Sequence, residues 1–278
     1  MGTRRHFGFL AAVIASATLS TSWVHVAAHP GPASGALAAI ATAQTSERSA
    51  GRAARATESV HYADATLVLL ASYAVADGRP AIPAASTDLA RDSRLWDLVE
   101  STLPDDAVLS IRQMNVISDG RNATLGMVHR SSVAPDSWVL SIDPAETDEV
   151  LQDTMVHEYA HMLTLRTDDL TSNAASRTRC DGLRIEIGCA KFGSALVAWH
   201  DEFWAGTAEP APTDIRKFVS EYASSSVHED LAESFMAWTL NRGARPSPSA
   251  QVRARFAFFE NRLEFVEARD AIRAKLDR

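Results

Sequence analysis

VLQDTMVHEYAHML, residues 150–163, combines an apolar helical pattern with two histidines and a glutamate within five consecutive positions. Val150, Leu151, Met155, Val156, Tyr159, Ala160, Met162 and Leu163 recur at the spacing of a largely buried helix. On such a helix His157 and His161, four residues apart, lie one above the other on a single face. Two neutral imidazoles so placed can reach one metal ion, and zinc takes imidazole readily in a tetrahedral set that leaves a position for water. Glu158, beside the first histidine, can reach that water and take the proton that the metal makes acidic. His157-Glu158-Tyr159-Ala160-His161 therefore reads as the HExxH motif of zinc peptidases, against the alternative of a buried helix with two incidental histidines.

Working outward, residues 137–142 (SWVLSI) read as a short strand. Asp143 as N-cap and Pro144 in the first turn predict a helix over 144–165. Upstream, 61–76 is apolar enough for a buried helix, and 89–103 has helical spacing stopped by Pro104. Residues 107–117 and 127–132 are strand candidates, with a turn signal at Asp119-Gly120. Downstream, 167–189 is polar and turn-like, a surface excursion closed by Cys180 and Cys189. Helices are expected over 194–204, 213–223 and 228–240, with a break at 245–248 and one long amphipathic helix over 249–276. A helix–sheet half followed by a mostly helical half predicts an α+β domain with a small sheet and a central active-site helix.

Two histidines do not complete a zinc site. A metzincin would carry Gly three and His six residues after His161, and those positions hold Thr164 and Thr167. The other solution is a carboxylate from a later helix, and YASSSVHEDLAE, residues 222–233, offers several. Glu229 and Glu233 share one face of a helix that is otherwise apolar (Leu231, Ala232, Phe235, Met236, Trp238), and unpaired acids are costly to bury there. A plainer reading puts Glu229, Asp230 and Glu233 at a helix N-terminus, where acids complement the macrodipole. His228 is the competing ligand; adjacent residues on a helix point about 100° apart, so His228 and Glu229 do not easily share one ion.

HEYAH together with EYASSSVHEDLAESF resembles the gluzincin metallopeptidases related to the catalytic domain of anthrax lethal factor, and a set of secreted bacterial zinc peptidases. In that pattern a Tyr stands seven residues before a glutamate ligand and an acid four residues after it; Tyr222, Glu229 and Glu233 match both spacings. The resemblance implies a zincin-like fold and Zn2+ held by His157, His161 and Glu229. It implies Glu158 as catalytic base and Tyr222 as hydrogen-bond donor to the transition-state oxyanion. Glu233 would fix a ligand imidazole. It covers two short blocks and, loosely, the Cys180–Cys189 loop and Phe203-Trp204.

Arg4 and Arg5 followed by an apolar stretch over 7–19 and small residues at Val26-Ala27-Ala28 read as an export signal over 1–28. The stretch is short for a membrane span, so no stable membrane insertion is expected after cleavage. Thr3-Arg4-Arg5-His6-Phe7 also resembles a twin-arginine signal. Residues 29–58, rich in Ala, Ser, Thr, Gly and Arg, read as a flexible linker or short pro-segment, which leaves 59–278 as the metallopeptidase domain. In an exported protein, the two cysteines, nine residues apart, favour a disulfide over two separate thiols. A net charge of −8 argues against nucleic acid as a partner. The expected partner is a peptide or protein substrate; the alternatives are a zinc-containing secreted binding module without peptidase activity, and a hydrolase of non-peptide amides. The strand over 137–142 is expected to offer its edge to an extended substrate.

Overall fold

The computed structural model describes residues 57, 67–119, 124–172, 179–207, 209–211, 214, 216–241 and 248–277. The proposed signal and nearly all of the 29–58 segment therefore lie outside the described residues, as do Gly120 and most of the break at 245–248. The fold is α+β.

A five-stranded sheet forms the first layer, in the order β2-β1-β3-β5-β4. Its strands are β1 (Val68–Ala76), β2 (Arg79–Pro80), β3 (Ile111–Ser118), β4 (Gly126–Arg130) and β5 (Trp138–Ile142). β3 and β5 run parallel and every other pair is antiparallel. β5 is buried along its whole length, as a strand paired on both sides and covered on both faces must be. This corrects the expected substrate edge: β5 has β3 on one side and β4 on the other, so among the described residues β4 is the edge strand on that side.

The segment 68–76 is a strand, not the buried helix its apolar content suggested. Tyr73 and Val75 alternate inward, whereas Val68, Leu69 and Leu70 are about half exposed, a pattern with period two that no buried helix would show. Tyr73 donates to Asp92 Oδ2 at 2.5 Å, which ties β1 to α1 (Leu89–Thr102). The expected strand over 107–117 begins instead as a short helix, α2 (Asp105–Ser110), because Pro104 followed by Asp105 and Asp106 makes a favourable helix start.

α3 (Asp148–Thr164) carries the HExxH residues. Its N-cap is Thr147, whose side chain accepts from Val150 N, and not Asp143. Asp143 is held elsewhere: its carboxylate accepts from Ala145 N and Asp119 N, joining two loops instead of starting a helix.

The polar excursion contains a second, three-stranded sheet, β6 (Leu170–Ser172), β7 (Leu183–Ile185) and β8 (Gly188–Ala190), in the order β6-β8-β7. Cys180 and Cys189 are bonded. Glycine is required at 188, where a Cβ would stand 2.3 Å from the Thr171 carbonyl oxygen across the β6–β8 pair.

Among the described residues four helices follow: α4 (Ala195–Phe203), α5 (Val227–Leu240), α6 (Ala250–Glu260) and α7 (Leu263–Leu276). The helix expected over 213–223 is absent among its described residues, which form turns and bends up to a 3-10 turn at Tyr222–Ser224. Short polar side chains there bond the local backbone, Asp214 to Arg216 N and Ser224 to Glu221 O, and so compete with a helix. The single long C-terminal helix is two helices. Asn261 Nδ2 and Arg262 Nη1 satisfy the Ala257 and Phe258 carbonyls at the break. The turn lets Phe265 fold back to 5.1 Å, centroid to centroid, from Phe259. α5 is buried on nearly every side, packed against α3, α4, α6 and α7.

Candidate metal centre

α3 and α5 bring the chemistry together. His157 and His161 are buried on the face of α3 that meets α5, with their Nε2 atoms 3.1 Å apart. Ser226 caps α5 by accepting from Glu229 N, which fixes the first turn of that helix against α3. Glu229 Oε2 then lies 3.1 Å from His157 Nε2 and 3.3 Å from His161 Nε2. Three donors at about 2.0–2.2 Å from a tetrahedral zinc stand roughly 3.3–3.5 Å from one another. The observed triangle is close to one face of such a tetrahedron. The set of two imidazole nitrogens and one carboxylate oxygen fits a divalent metal ion, and among the described residues it is the group that could hold one.

Glu233, one turn further along α5, accepts from His157 Nδ1 at 2.8 Å. With its proton on Nδ1, His157 would present a bare Nε2 lone pair to a metal ion. The site is electrostatically tight. Burial works against a charged His157, yet its bonds to Glu229 and Glu233 outweigh burial and lift its pKa well above the usual imidazole value. Burial likewise pushes the Glu229 carboxyl up, but His161 and His157 outweigh it and hold Glu229 well below the usual carboxylate range.

Glu158, next to His157 on α3, reaches the sheet edge. Its Oε2 accepts the Val128 N–H of β4 at 2.8 Å, while Oε1 is buried and has no hydrogen-bond partner among the described residues. Burial raises the Glu158 pKa, with the two histidines opposing the shift. A buried carboxylate oxygen with no protein donor is an acceptor kept for something else. Tyr222, half-buried in the 3-10 turn, lies with its ring 6.0 Å from that of His157 and close enough to Glu229 for that carboxylate to act on its phenol. Burial first, and Glu229 second, raise the phenol pKa, so Tyr222 is a neutral donor at any working pH.

Sequence reasoning set His228 aside, yet the structure brings it to the site. It is buried, with Nδ1 3.0 Å from Ser226 Oγ and Nε2 3.5 Å from Glu229 Oε1, and its ring is 5.8 Å from that of His161. Adjacent positions do diverge on a helix, but at the first turn the long side chains of 228 and 229 curl back toward the same space. Burial pushes its pKa down to about 4, so it is neutral. Asp230 and Arg255 were also missed as a pair. The Asp230 carboxylate receives Trp199 Nε1 at 3.0 Å, Trp204 Nε1 at 2.8 Å and Arg255 Nε at 3.0 Å. The only signal was an Asp amid the apolar face of α5, with two tryptophans upstream that need acceptors.

No family model matches the chain, and no curated protein matches it. Among solved structures, the chain is similar to one described as a candidate zinc-binding metallo-peptidase from Bacteroides caccae. The two share 12% identity and a TM-score of 0.36, over 66% of this chain and 75% of the other.

Proposed function

We propose that this protein is an exported, zinc-dependent peptidase of the gluzincin type, with His157, His161 and Glu229 as zinc ligands. The observation that carries this reading is the three-donor triangle set beside a buried glutamate with one unbonded oxygen. When bound, zinc would supply Lewis acidity and lower the pKa of a water at the site. Glu158 Oε1 takes the proton of the attacking water and delivers it to the leaving amine. Its Oε2 stays anchored on Val128 N, which keeps the carboxylate aimed. Tyr222 donates its hydroxyl in a hydrogen bond to the developing oxyanion. Glu233 holds His157 in its tautomer.

The sheet edge suggests the form of the substrate. β4 ends the sheet, and Val128 N–H, bonded to Glu158, is turned away from β5. A peptide laid along β4 in extended form would pass the catalytic glutamate. The Cys180–Cys189 disulfide supports export to an oxidising compartment. No helix among the described residues is long and apolar enough to cross a membrane.

The test is cleavage of a random peptide library by the full chain, read by mass spectrometry, with a chelator and with Glu158→Gln. Cleavage that both treatments abolish supports the reading. A zinc-loaded protein that cleaves no peptide would favour a non-peptide amide substrate or a binding role.

A further inference from the structure

The proposed machinery is spread over three segments: α3, α5 and the turn that carries Tyr222. One hydroxyl joins the turn to the other two. Ser220 Oγ donates to Glu233 Oε2 at 2.5 Å and accepts the Ala223 N–H at 3.0 Å. A serine hydroxyl has a single proton, so with the amide of Ala223 on a lone pair, that proton goes to Glu233. Glu233 Oε1 in turn accepts from His157 Nδ1 at 2.8 Å. Each carboxylate oxygen of Glu233 therefore has its own donor. The chain runs from a proposed zinc ligand, through Glu233 and Ser220, to the backbone immediately after Tyr222.

We propose that Ser220 is a positioning residue that locks the Tyr222 turn to the His157–Glu233 pair, so that the oxyanion donor and the metal ligands move as one unit. Ser220 and Ala223 bracket Tyr222 in sequence, and the bond between them fixes the turn from both sides. The other bonds of the turn run elsewhere: Ser224 Oγ donates to Glu221 O, Ser225 N to Tyr222 O and Ala211 N to Ser224 O. Glu233 is buried, so a lost serine proton is not simply replaced by bulk solvent. The hydrogen bonds of Ser220 go to Glu233 and to Ala223 N, so it acts through Glu233 and the Tyr222 turn.

The catalytic half of this inference rests on the peptidase reading, and the metal half does not. The experiment uses the zinc-loaded full chain as wild type, Ser220→Ala, Ser220→Thr, Tyr222→Phe and the Ser220→Ala/Tyr222→Phe double variant. Zinc release to a colorimetric chelator is measured first, then kcat and KM on a cleaved peptide. Ser220→Ala should keep one zinc per chain and release it about 10-fold faster, near the low end of the effect of removing groups that orient ligands. Its kcat should fall roughly 10-fold with KM within about 2-fold, since a transition-state donor is displaced. In the Tyr222→Phe background, Ser220→Ala should cost less than about 2-fold further in kcat. Ser220→Thr, which keeps the hydroxyl, should restore both properties. Unchanged zinc release in Ser220→Ala, or an equal kcat loss with and without the Tyr222 hydroxyl, would overturn the proposal. If the zinc-loaded wild type cleaved no peptide, the peptidase reading would fail, while the release rates of the Ala and Thr variants would still decide whether Ser220 holds the metal-site pair.

Discussion

Asp230→Asn is the most revealing single substitution outside the metal triangle. The Asp230 carboxylate is fully buried and receives two indole N–H groups and the Arg255 guanidinium, whose Nη2 lies at 2.9 Å. Arg255 is itself buried and caged by aromatic rings, its guanidinium carbon 4.8 Å from the Phe203 centroid and 4.9 Å from that of Phe218. Burial raises the Asp230 pKa despite Arg255, so the pair is no large net stabiliser. Breaking it is another matter. The amide cannot neutralise Arg255 and turns two of its own donors toward three existing ones. Removing one partner of a buried pair costs about 3–5 kcal/mol, a large share of the roughly 5–15 kcal/mol that holds a domain folded. At about 2–4 °C per kcal/mol for a domain of this size, the melting temperature should fall by roughly 6–20 °C. Thermal denaturation followed by circular dichroism at neutral pH, with zinc and with chelator, measures this. A fall of less than about 3 °C would refute the claim that Arg255 depends on Asp230.

Other expectations follow from the same geometry. Glu158→Gln should keep one zinc per chain and lose about 10²–10⁴-fold in kcat, the usual range for a general base, checked by elemental analysis and single-turnover kinetics. Zinc binding should release a proton, because His157 in the metal-free protein holds one well above the usual imidazole pKa. Calorimetry in buffers of different ionisation enthalpy should show that release at pH 7, and apparent zinc affinity should weaken as pH falls. Reducing the Cys180–Cys189 bond should cost about 2–3 kcal/mol, seen as a lower urea midpoint, since it closes a short loop of nine residues' separation.

The parts of the site legible in the sequence were those fixed by one helix at a time. His157 and His161 meet because four residues make about one helical turn, and Glu229 and Glu233 share a face for the same reason. What stayed hidden depends on how helices meet. His228 reaches the site because the first turn of α5 abuts α3, which no spacing along α5 reveals. Val128 as the anchor of Glu158 depends on β4 being the sheet edge, and strand order is a tertiary property. The α+β class was readable from the succession of patterns, whereas local misreadings had local causes. Strand β1 looks helical in sequence because its apolar residues at 68–70 hide the alternation visible only at Tyr73 and Val75. The break at Asn261 was invisible because neither Pro nor Gly marks it, and side-chain bonds to the last carbonyls make the turn.

The central claim is a zinc site made by His157, His161 and Glu229. Elemental mass spectrometry on the purified full chain after zinc reconstitution and desalting tests it most directly, with His157→Ala and Glu229→Ala alongside. The account predicts one zinc per wild-type chain and its loss from both variants. A folded wild type without zinc would contradict it, and zinc fully retained by Glu229→Ala would move the third ligand to His228.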